Sequence, residues 1–143
     1  MPITGLHHID LAVSDVERSL DFYRGVLGPL GLEEAVRYPT YRGTEDVVYL
    51  WLGKQMLGLR PADGGGKFRY YGVGVEHFAV FVSSRAEVDD AYQRCLAMGA
   101  NVHCPPEADN DEPDYWAMFV FDPDGIRLEV AHWPHDVPVG GRQ

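Results

Sequence analysis

The sequence predicts an α+β protein built from two copies of one β-α-β-β-β unit. Three observations support this: an internal repeat, an alternation of apolar residues that opens each copy, and helix-start signals directly after it. The segment LHHIDLAVS (6–14) aligns with VEHFAVFVS (75–83), so that His8 matches His77 and Ser14 matches Ser83. Self-similarity at a fixed spacing indicates a structural unit that is used more than once.

Each copy is predicted to start with a strand that runs into a helix. The openings place apolar residues at every second position, which is the period of a half-buried strand. Ser14 or Asp15 is expected to cap the first helix. Ser84 and Glu87 form the S-x-x-E pattern of a capping box before the second helix. Apolar residues then recur at helical spacing in both copies.

Three further strands are predicted after each helix. Gly28 and Gly99 stand where the helices are expected to end. The turn residues Asp122–Pro123–Asp124–Gly125 join the last two strands of the second copy as a hairpin, and Gly53–Lys54 does so in the first. The strand candidates are 32–38, 47–52 and 55–60 in the first copy, and 100–104, 115–121 and 126–132 in the second.

The chain divides into two modules within one domain. Its 143 residues suit a single domain of ordinary size. The glycine-rich stretch between the copies reads as a linker or flexible loop. We therefore expect one domain with the following parts: module one (4–61), linker (62–74), module two (75–133) and a C-terminal tail (134–143).

Composition and charge narrow the function class. No apolar run reaches the length of a membrane helix, and the N-terminus lacks the pattern of a secretory signal. Two cysteines are too few for a disulfide framework, so we expect a cytoplasmic protein. The net charge of −10 disfavours nucleic acids and anionic membranes, which require Lys and Arg for neutralisation. A small-molecule substrate or ligand is the expected partner.

Strand alternation brings ligand-type side chains to one predicted concave surface. Residues such as Leu11 and Val80 should face the helices, which turns their neighbours the other way. Two imidazoles and one carboxylate can hold a divalent metal ion and leave positions open for substrate. This donor set suits Fe, Mn, Ni or Zn, and the missing thiolates argue against a structural zinc site. The predicted metal ligands are His8, His77 and Glu129.

The same surface is predicted to hold catalytic and substrate-binding residues. Asp10 is a candidate general base. Arg60 and Arg127 either orient a polar substrate or pair with Asp10 or Glu129. Apolar and aromatic side chains with a few polar groups are typical of small-molecule sites. The predicted substrate-binding residues are Tyr49, Trp51, Met56, Arg60, Phe81, Trp116 and Arg127.

Several motifs resemble the vicinal oxygen chelate superfamily over residues 4–133: the openings LHHIDLAVSD and VEHFAVFVSS, the phrase SLDFYRGVLG and the ending FVFDPDGIRLEVAH. Glyoxalase I, bleomycin-resistance proteins, fosfomycin-resistance thiol transferases and type I extradiol dioxygenases belong to it. The resemblance implies an eight-stranded, cup-shaped mixed sheet with the helices on the outside, and a homodimer. It also implies metal ligands at the positions of His8, Gly58, His77 and Glu129.

Individual members of that superfamily match less well. Gly58 has no side chain to donate, which weakens a four-ligand site of the glyoxalase I type. Extradiol dioxygenases carry an acid–base Tyr in the strand where this chain has Phe119 and Phe121. Fosfomycin enzymes use a hydroxyl near the first ligand, where Asp10 stands here, and a carboxylate would repel a phosphonate.

Two functions therefore remain open from the sequence. The first is a metal-dependent enzyme that polarises an oxygen-bearing substrate, as a lyase, isomerase, thiol transferase or dioxygenase. The second is a metal-free protein of the bleomycin-resistance kind that sequesters a cationic aromatic ligand. The acidic charge suits the second function, whereas the three ligand-type residues favour the first.

Overall fold

The helices and strands follow the predicted order. The computed structural model describes residues 2–39 and 46–135, so the predicted tail beyond residue 135 lies outside the described residues. A short 3-10 turn, Gly28–Leu30, follows the first helix. The elements are β1 (His8–Val13), α1 (Val16–Leu27), β2 (Glu33–Tyr38), β3 (Val47–Leu52), β4 (Gln55–Pro61), β5 (Phe78–Phe81), α2 (Arg85–Ala97), β6 (Asn101–Ala108), β7 (Trp116–Phe121) and β8 (Arg127–His132).

The strands of the described residues form two mixed four-stranded sheets, one from each module. Their orders are β1-β4-β3-β2 and β5-β8-β7-β6, so the repeat is exact at the level of topology. In each sheet the first and fourth strands of the module pair in parallel, and the remaining pairs are antiparallel. The α+β class and the paired modules are thus confirmed, although the strands form two sheets rather than one.

Local chemistry sets the ends of both helices. The Asp15 side chain accepts the backbone N–H of Arg18, which makes Asp15 the cap of α1. Ser84 and Glu87 form the predicted capping box of α2. Gly99 follows α2 in the left-handed region with φ of +67°. After α1 the left-handed glycine is Gly31, because the 3-10 turn extends the helix beyond the expected end.

Strand β6 is longer than the sequence predicts. The predicted strand ended at residue 104, directly before Pro105 and Pro106, which cannot donate to a strand ladder. The strand nevertheless continues to Ala108. Since β6 is the edge of its sheet, a proline there need not bond to a neighbour on its open side. The pairing register with β7 shifts across this stretch, which is how the sheet accommodates the two prolines.

The apolar faces of both sheets and both helices share one hydrophobic core. The two helices contact each other, α1 contacts β4, and α2 contacts β6, β7 and β8. The opposite faces of both sheets are consequently turned away from this core. Fully buried core residues include Val13, Leu20, Tyr23, Leu57, Leu59, Val88, Met118, Leu128 and Val130.

Buried polar contacts tie the modules together at the 122–125 turn. The Tyr23 hydroxyl on α1 donates to Asp122 Oδ2 at 2.8 Å. The Ser14 backbone N–H and hydroxyl donate to the two carboxylate oxygens of Asp124, at 3.0 and 2.5 Å. Burial raises the pKa of Tyr23 well above its usual value, and burial also raises the pKa of Asp122. Both groups are thus held in an environment that disfavours an additional charge.

None of the helices in the described ranges has the length and apolar character needed to cross a membrane.

Replacing Tyr23 with Phe should lower the free energy of unfolding by about 1–3 kcal/mol, because Asp122 keeps its burial and loses a hydrogen-bond donor. The pKa of Tyr23 is raised in the folded state, so the unfolded state alone ionises once the pH exceeds about 10. The advantage of the wild type over the variant should therefore shrink as the pH rises above about 10. Urea unfolding at several pH values measures both effects, and equal stability of the two proteins at pH 7 would contradict the first.

Candidate metal centre

His77 and Glu129, two of the predicted metal ligands, form an adjacent pair on the outward face of the second sheet, called the ligand pair below. The His77 Nε2 and Glu129 Oε2 atoms are 3.0 Å apart. Glu129 is only 5% exposed, and its other oxygen accepts the Tyr115 hydroxyl at 2.6 Å. Burial, together with the hydrogen bond to Glu129, raises the pKa of Tyr115, which therefore stays a neutral donor. The carboxylate is held in place by both neighbours.

The other ring nitrogen of His77 is bound by a polar chain. His77 Nδ1 contacts the carboxylate of Glu76, which also contacts the guanidinium of Arg127. The Arg127 Nε–H donates to His103 Nδ1 at 3.1 Å, and the guanidinium carbon lies 3.8 Å from the ring centre of Phe119. The hydrogen bond from His77 lowers the pKa of Glu76, and the charge of Arg127 adds to this effect. Glu76 is thus a carboxylate acceptor beside His77.

The outward face of the first sheet carries the other predicted ligand. In the parallel β1–β4 pairing, His8 lies beside Met56, and Asp10 lies beside Gly58. The antiparallel β3–β4 pairing adds Tyr49 opposite Gly58. His8 is exposed, and its ring centre lies 5.9 Å from that of Tyr49 in an edge-on arrangement. The parity predicted for this sheet is the parity observed.

In the first sheet, a polar network surrounds Gly58, the position at which the family resemblance implies a further metal ligand. Arg60 Nε donates to Asp10 Oδ2 at 2.6 Å, the Tyr49 hydroxyl donates to the same oxygen at 3.0 Å, and Arg60 Nη2 donates to the Tyr49 oxygen at 3.0 Å. A Cβ atom at Gly58 would overlap the Asp10 carboxylate and approach Tyr49 Cε1 to 2.8 Å. The glycine is therefore required by this network.

The structure brings the predicted ligands together only in part. His77 and Glu129 are adjacent, whereas His8 lies on the other sheet. Within residues 2–39 and 46–135, no three His, Cys, Asp or Glu side chains converge as a metal site. The chemistry of the adjacent pair, one imidazole nitrogen and one carboxylate, fits two positions of a divalent metal ion. Two of the three predicted ligands therefore lie in a fixed geometry.

Six of the seven predicted substrate-binding residues lie on the outward faces of the two sheets, and Trp116 does not. Tyr49, Met56 and Arg60 share the outward face of the first sheet with His8, and the half-exposed Trp51 lies opposite Met56 there.

On the second sheet, Phe81 and Arg127 share the outward face with Glu129. Phe81 is 60% exposed, whereas Arg127 is buried.

Trp116 is the exception, and its predicted place in the substrate site is corrected by the structure. Its indole N–H donates to Asp89 of α2 at 2.9 Å, and the Arg85 guanidinium lies over its ring at 5.1 Å. Trp116 has the parity of Met118 and Val120, both fully buried against the helix side. The side chain packs on α2 because its ring is apolar and its N–H finds a carboxylate there.

Two residues beside the ligand pair were missed by sequence reasoning. Glu76 immediately precedes His77, and Tyr115 immediately precedes β7. Glu76 lies just outside a strand, where alternation no longer tells which way a side chain points. Tyr115 was the first residue of the predicted strand 115–121 but was not among the predicted site residues. The available signal was chemical: a carboxylate next to a candidate metal-binding His is the usual partner of its second nitrogen.

A small pocket of about 180 Å³ lies beside Glu129 and is lined in part by Glu107, Tyr115, Ala117 and Phe119. Typical small-molecule sites enclose about 300–1,000 Å³. A larger groove of about 550 Å³ lies near the 122–125 turn and includes none of the predicted site residues. The pocket at the ligand pair is therefore undersized within one chain.

Comparison with known proteins identifies the family. Residues 5–130 match the Glyoxalase/Bleomycin resistance protein/Dioxygenase superfamily, and the chain belongs to it. The chain is 30% identical to the protein YqjT of Bacillus subtilis over 132 residues, covering 88% of this chain and 97% of that protein. It is also 30% identical over 130 residues to the metallothiol transferase FosB of Shouchella clausii, covering 90% of this chain and 80% of that protein.

A solved structure agrees with this assignment. The glyoxylase/bleomycin resistance protein/dioxygenase domain from Frankia sp. EAN1pec superposes with a TM-score of 0.79 at 27% identity, covering 92% of this chain and 99% of that chain. The predicted vicinal oxygen chelate superfamily and its paired-module fold are therefore confirmed.

Replacing Gly58 with Ala should lower the free energy of unfolding by about 1–3 kcal/mol, because the new methyl group overlaps Asp10 and Tyr49. The penalty should be smaller in an Asp10→Ala background, where one of the two overlaps is gone. A double-mutant cycle measured by urea unfolding tests this. Equal penalties in both backgrounds would show that Asp10 does not fill the space at Gly58.

Proposed function

We propose that the protein is a divalent-metal-dependent enzyme whose complete centre forms between two copies of the chain. His77 and Glu129 of one copy would hold the ion together with His8 of the other. The observation that supports this most directly is the fixed His77–Glu129 pair with its Nε2–Oε2 distance of 3.0 Å. Mn, Fe, Ni and Zn all accept this combination of imidazole and carboxylate ligands.

The placement of the two half-sites supports a second copy. Both ligand-bearing faces are turned away from the core that joins the modules, so one chain does not bring them face to face. A symmetric dimer uses the same surfaces twice and would create two equivalent centres. Exposed apolar side chains lie near these faces, among them Leu6, Val75 and Phe81 with exposures of 78%, 51% and 60%. Burial of such side chains in an interface would be favourable.

The bound metal ion would act as a Lewis acid on an oxygen-bearing substrate. The side chains of the chain itself would orient that substrate. Arg60 presents guanidinium N–H donors on the same face as His8, and Trp51 and Phe81 offer exposed apolar surface. Asp10 stays a candidate general base, but it would first have to release its ion pair with Arg60.

Among metal-dependent reactions, thiol transfer receives specific support. A metallothiol transferase is among the relatives at 30% identity. From the sequence, the carboxylate of Asp10 was expected to repel an anionic substrate. In the structure that carboxylate is compensated by Arg60 at 2.6 Å and by Tyr49, so the repulsion is reduced. The addition of a thiol to an electrophilic, oxygen-bearing substrate is therefore the reaction to screen first.

Elemental analysis of untagged protein should find near-stoichiometric divalent metal in the wild type and little in His77→Ala or Glu129→Ala, because each change removes one donor of the fixed pair. His135→Ala is the matched control, since His135 is exposed and its ring nitrogen contacts the exposed Asp114. A wild type that binds no divalent ion even after reconstitution would exclude the enzyme and leave a metal-free binding protein.

Mixing two defective variants tests whether the centre is shared. His8→Ala and Glu129→Ala should each bind little metal alone. After unfolding and refolding together, about a quarter of the centres should recover, because half of the random dimers pair one variant with the other and contain one intact centre. Metal content of the refolded mixture, with gel filtration to confirm the dimer, is the measurement. No recovery in a mixture that does form dimers would place the whole centre within one chain.

A further inference from the structure

The residue that precedes each predicted ligand histidine contacts the Nδ1 atom of that histidine. In the internal repeat, His7 aligns with Glu76 just as His8 aligns with His77. His7 Nδ1 lies 2.8 Å from His8 Nδ1, and the Glu76 carboxylate contacts His77 Nδ1. The backbone of the repeat therefore places a partner on the same ring nitrogen twice, with different chemistry in each module.

We propose that Glu76, held by Arg127, is a positioning residue that commits the Nε2 atom of His77 to the metal ion. The proposal rests on the proposed metal-dependent function and concerns how one ligand is prepared for it. A carboxylate that accepts the Nδ1–H fixes the tautomer and the ring orientation, and it makes the other nitrogen a stronger donor. In this chain that other nitrogen is the one that faces Glu129.

Arg127 gives Glu76 a fixed position. The Arg127 side chain is only 11% exposed, whereas that of Glu76 is 38% exposed, so the arginine is the anchored member of the pair. Its guanidinium lies over the Phe119 ring and donates to His103, which leaves little freedom to rotate. Removing Glu76 would leave this partly buried cation without its carboxylate.

The strand geometry couples this anchor to the metal pair. Arg127 and Glu129 are alternate residues of β8 and therefore point to the same face. Phe119 lies directly opposite Glu129 in the pairing of β7 with β8, and its ring is also 5.4 Å from that of His77. One strand thus supplies both the carboxylate ligand and the cation that holds the partner of the histidine ligand. This assigns Arg127 a role in the support of His77 rather than in substrate binding.

Metal affinity without turnover tests the proposal. Zn²⁺ dissociation constants should be measured by competition with a chelator for the wild type, Glu76→Ala and Glu76→Gln. Glu76→Ala should bind about 10- to 100-fold more weakly, which is the usual effect of losing such a partner. Glu76→Gln should lose less, because the amide oxygen still accepts the Nδ1–H. Asp90→Asn, which removes one charge from the exposed side of α2, is the control and should keep wild-type affinity.

A second readout separates positioning from general destabilisation. In the Zn²⁺-loaded protein labelled with ¹⁵N-histidine, the His77 Nδ1–H proton should exchange slowly with solvent in the wild type. It should exchange rapidly in Glu76→Ala and stay protected in Glu76→Gln. Thermal unfolding of the apoproteins shows whether Glu76→Ala has lost its fold, in which case Glu76→Gln is compared with the wild type.

The outcomes distinguish this proposal from the one on which it rests. If the wild type binds Zn²⁺ and Glu76→Ala binds it equally well with the same proton exchange, Glu76 does not position His77, and the metal-dependent function stands. If the wild type binds no Zn²⁺, the metal-dependent function falls and the positioning role falls with it. Weaker binding in Glu76→Ala, with partial recovery in Glu76→Gln, supports both.

Discussion

The contact between α1 and the 122–125 turn is the interaction on which the rest of the architecture depends. Tyr23 donates to Asp122 in a buried setting, and Ser14 donates twice to Asp124. Because the Asp122 carboxylate also accepts the backbone N–H groups of Asp124 and Ile126 within the turn, the hairpin and the module contact are one network. A buried network is stabilising only when its members are satisfied together. It fixes the two modules with their apolar faces inward.

That arrangement explains why a symmetric repeat carries asymmetric chemistry. The two sheets have the same strand order, yet the equivalent positions Gly58 and Glu129 differ in side chain and in surroundings. Glu129 is buried beside His77 and held by Tyr115. At Gly58 the same space is taken by the Asp10 network, which lies beside His8. One module therefore holds two of the predicted ligands side by side, and the other holds a single predicted imidazole ligand next to a polar network.

Much of the candidate site followed from strand alternation. The faces of His8, Asp10, Arg60 and Glu129 were predicted correctly because a period of two is a local property of the backbone. Trp116 was assigned by residue type instead, and its own parity places it against α2. Residues just before strands, such as Glu76, escape the rule altogether. The predicted end of β6 at residue 104 was too early, and the two prolines that follow are tolerated because the strand is an edge.

The sequence by itself determined the element order, the capping box of the second helix, the outward faces of both sheets and the family to which the chain belongs. Only the tertiary structure decided how the modules pack, and with it that His8 is separated from His77 and Glu129. The physical reason is the separation along the chain between the residues that interact. Alternation and capping depend on residues a few positions apart, whereas the Tyr23–Asp122 contact joins residues 99 positions apart and depends on the burial of both partners. No local pattern encodes such a contact.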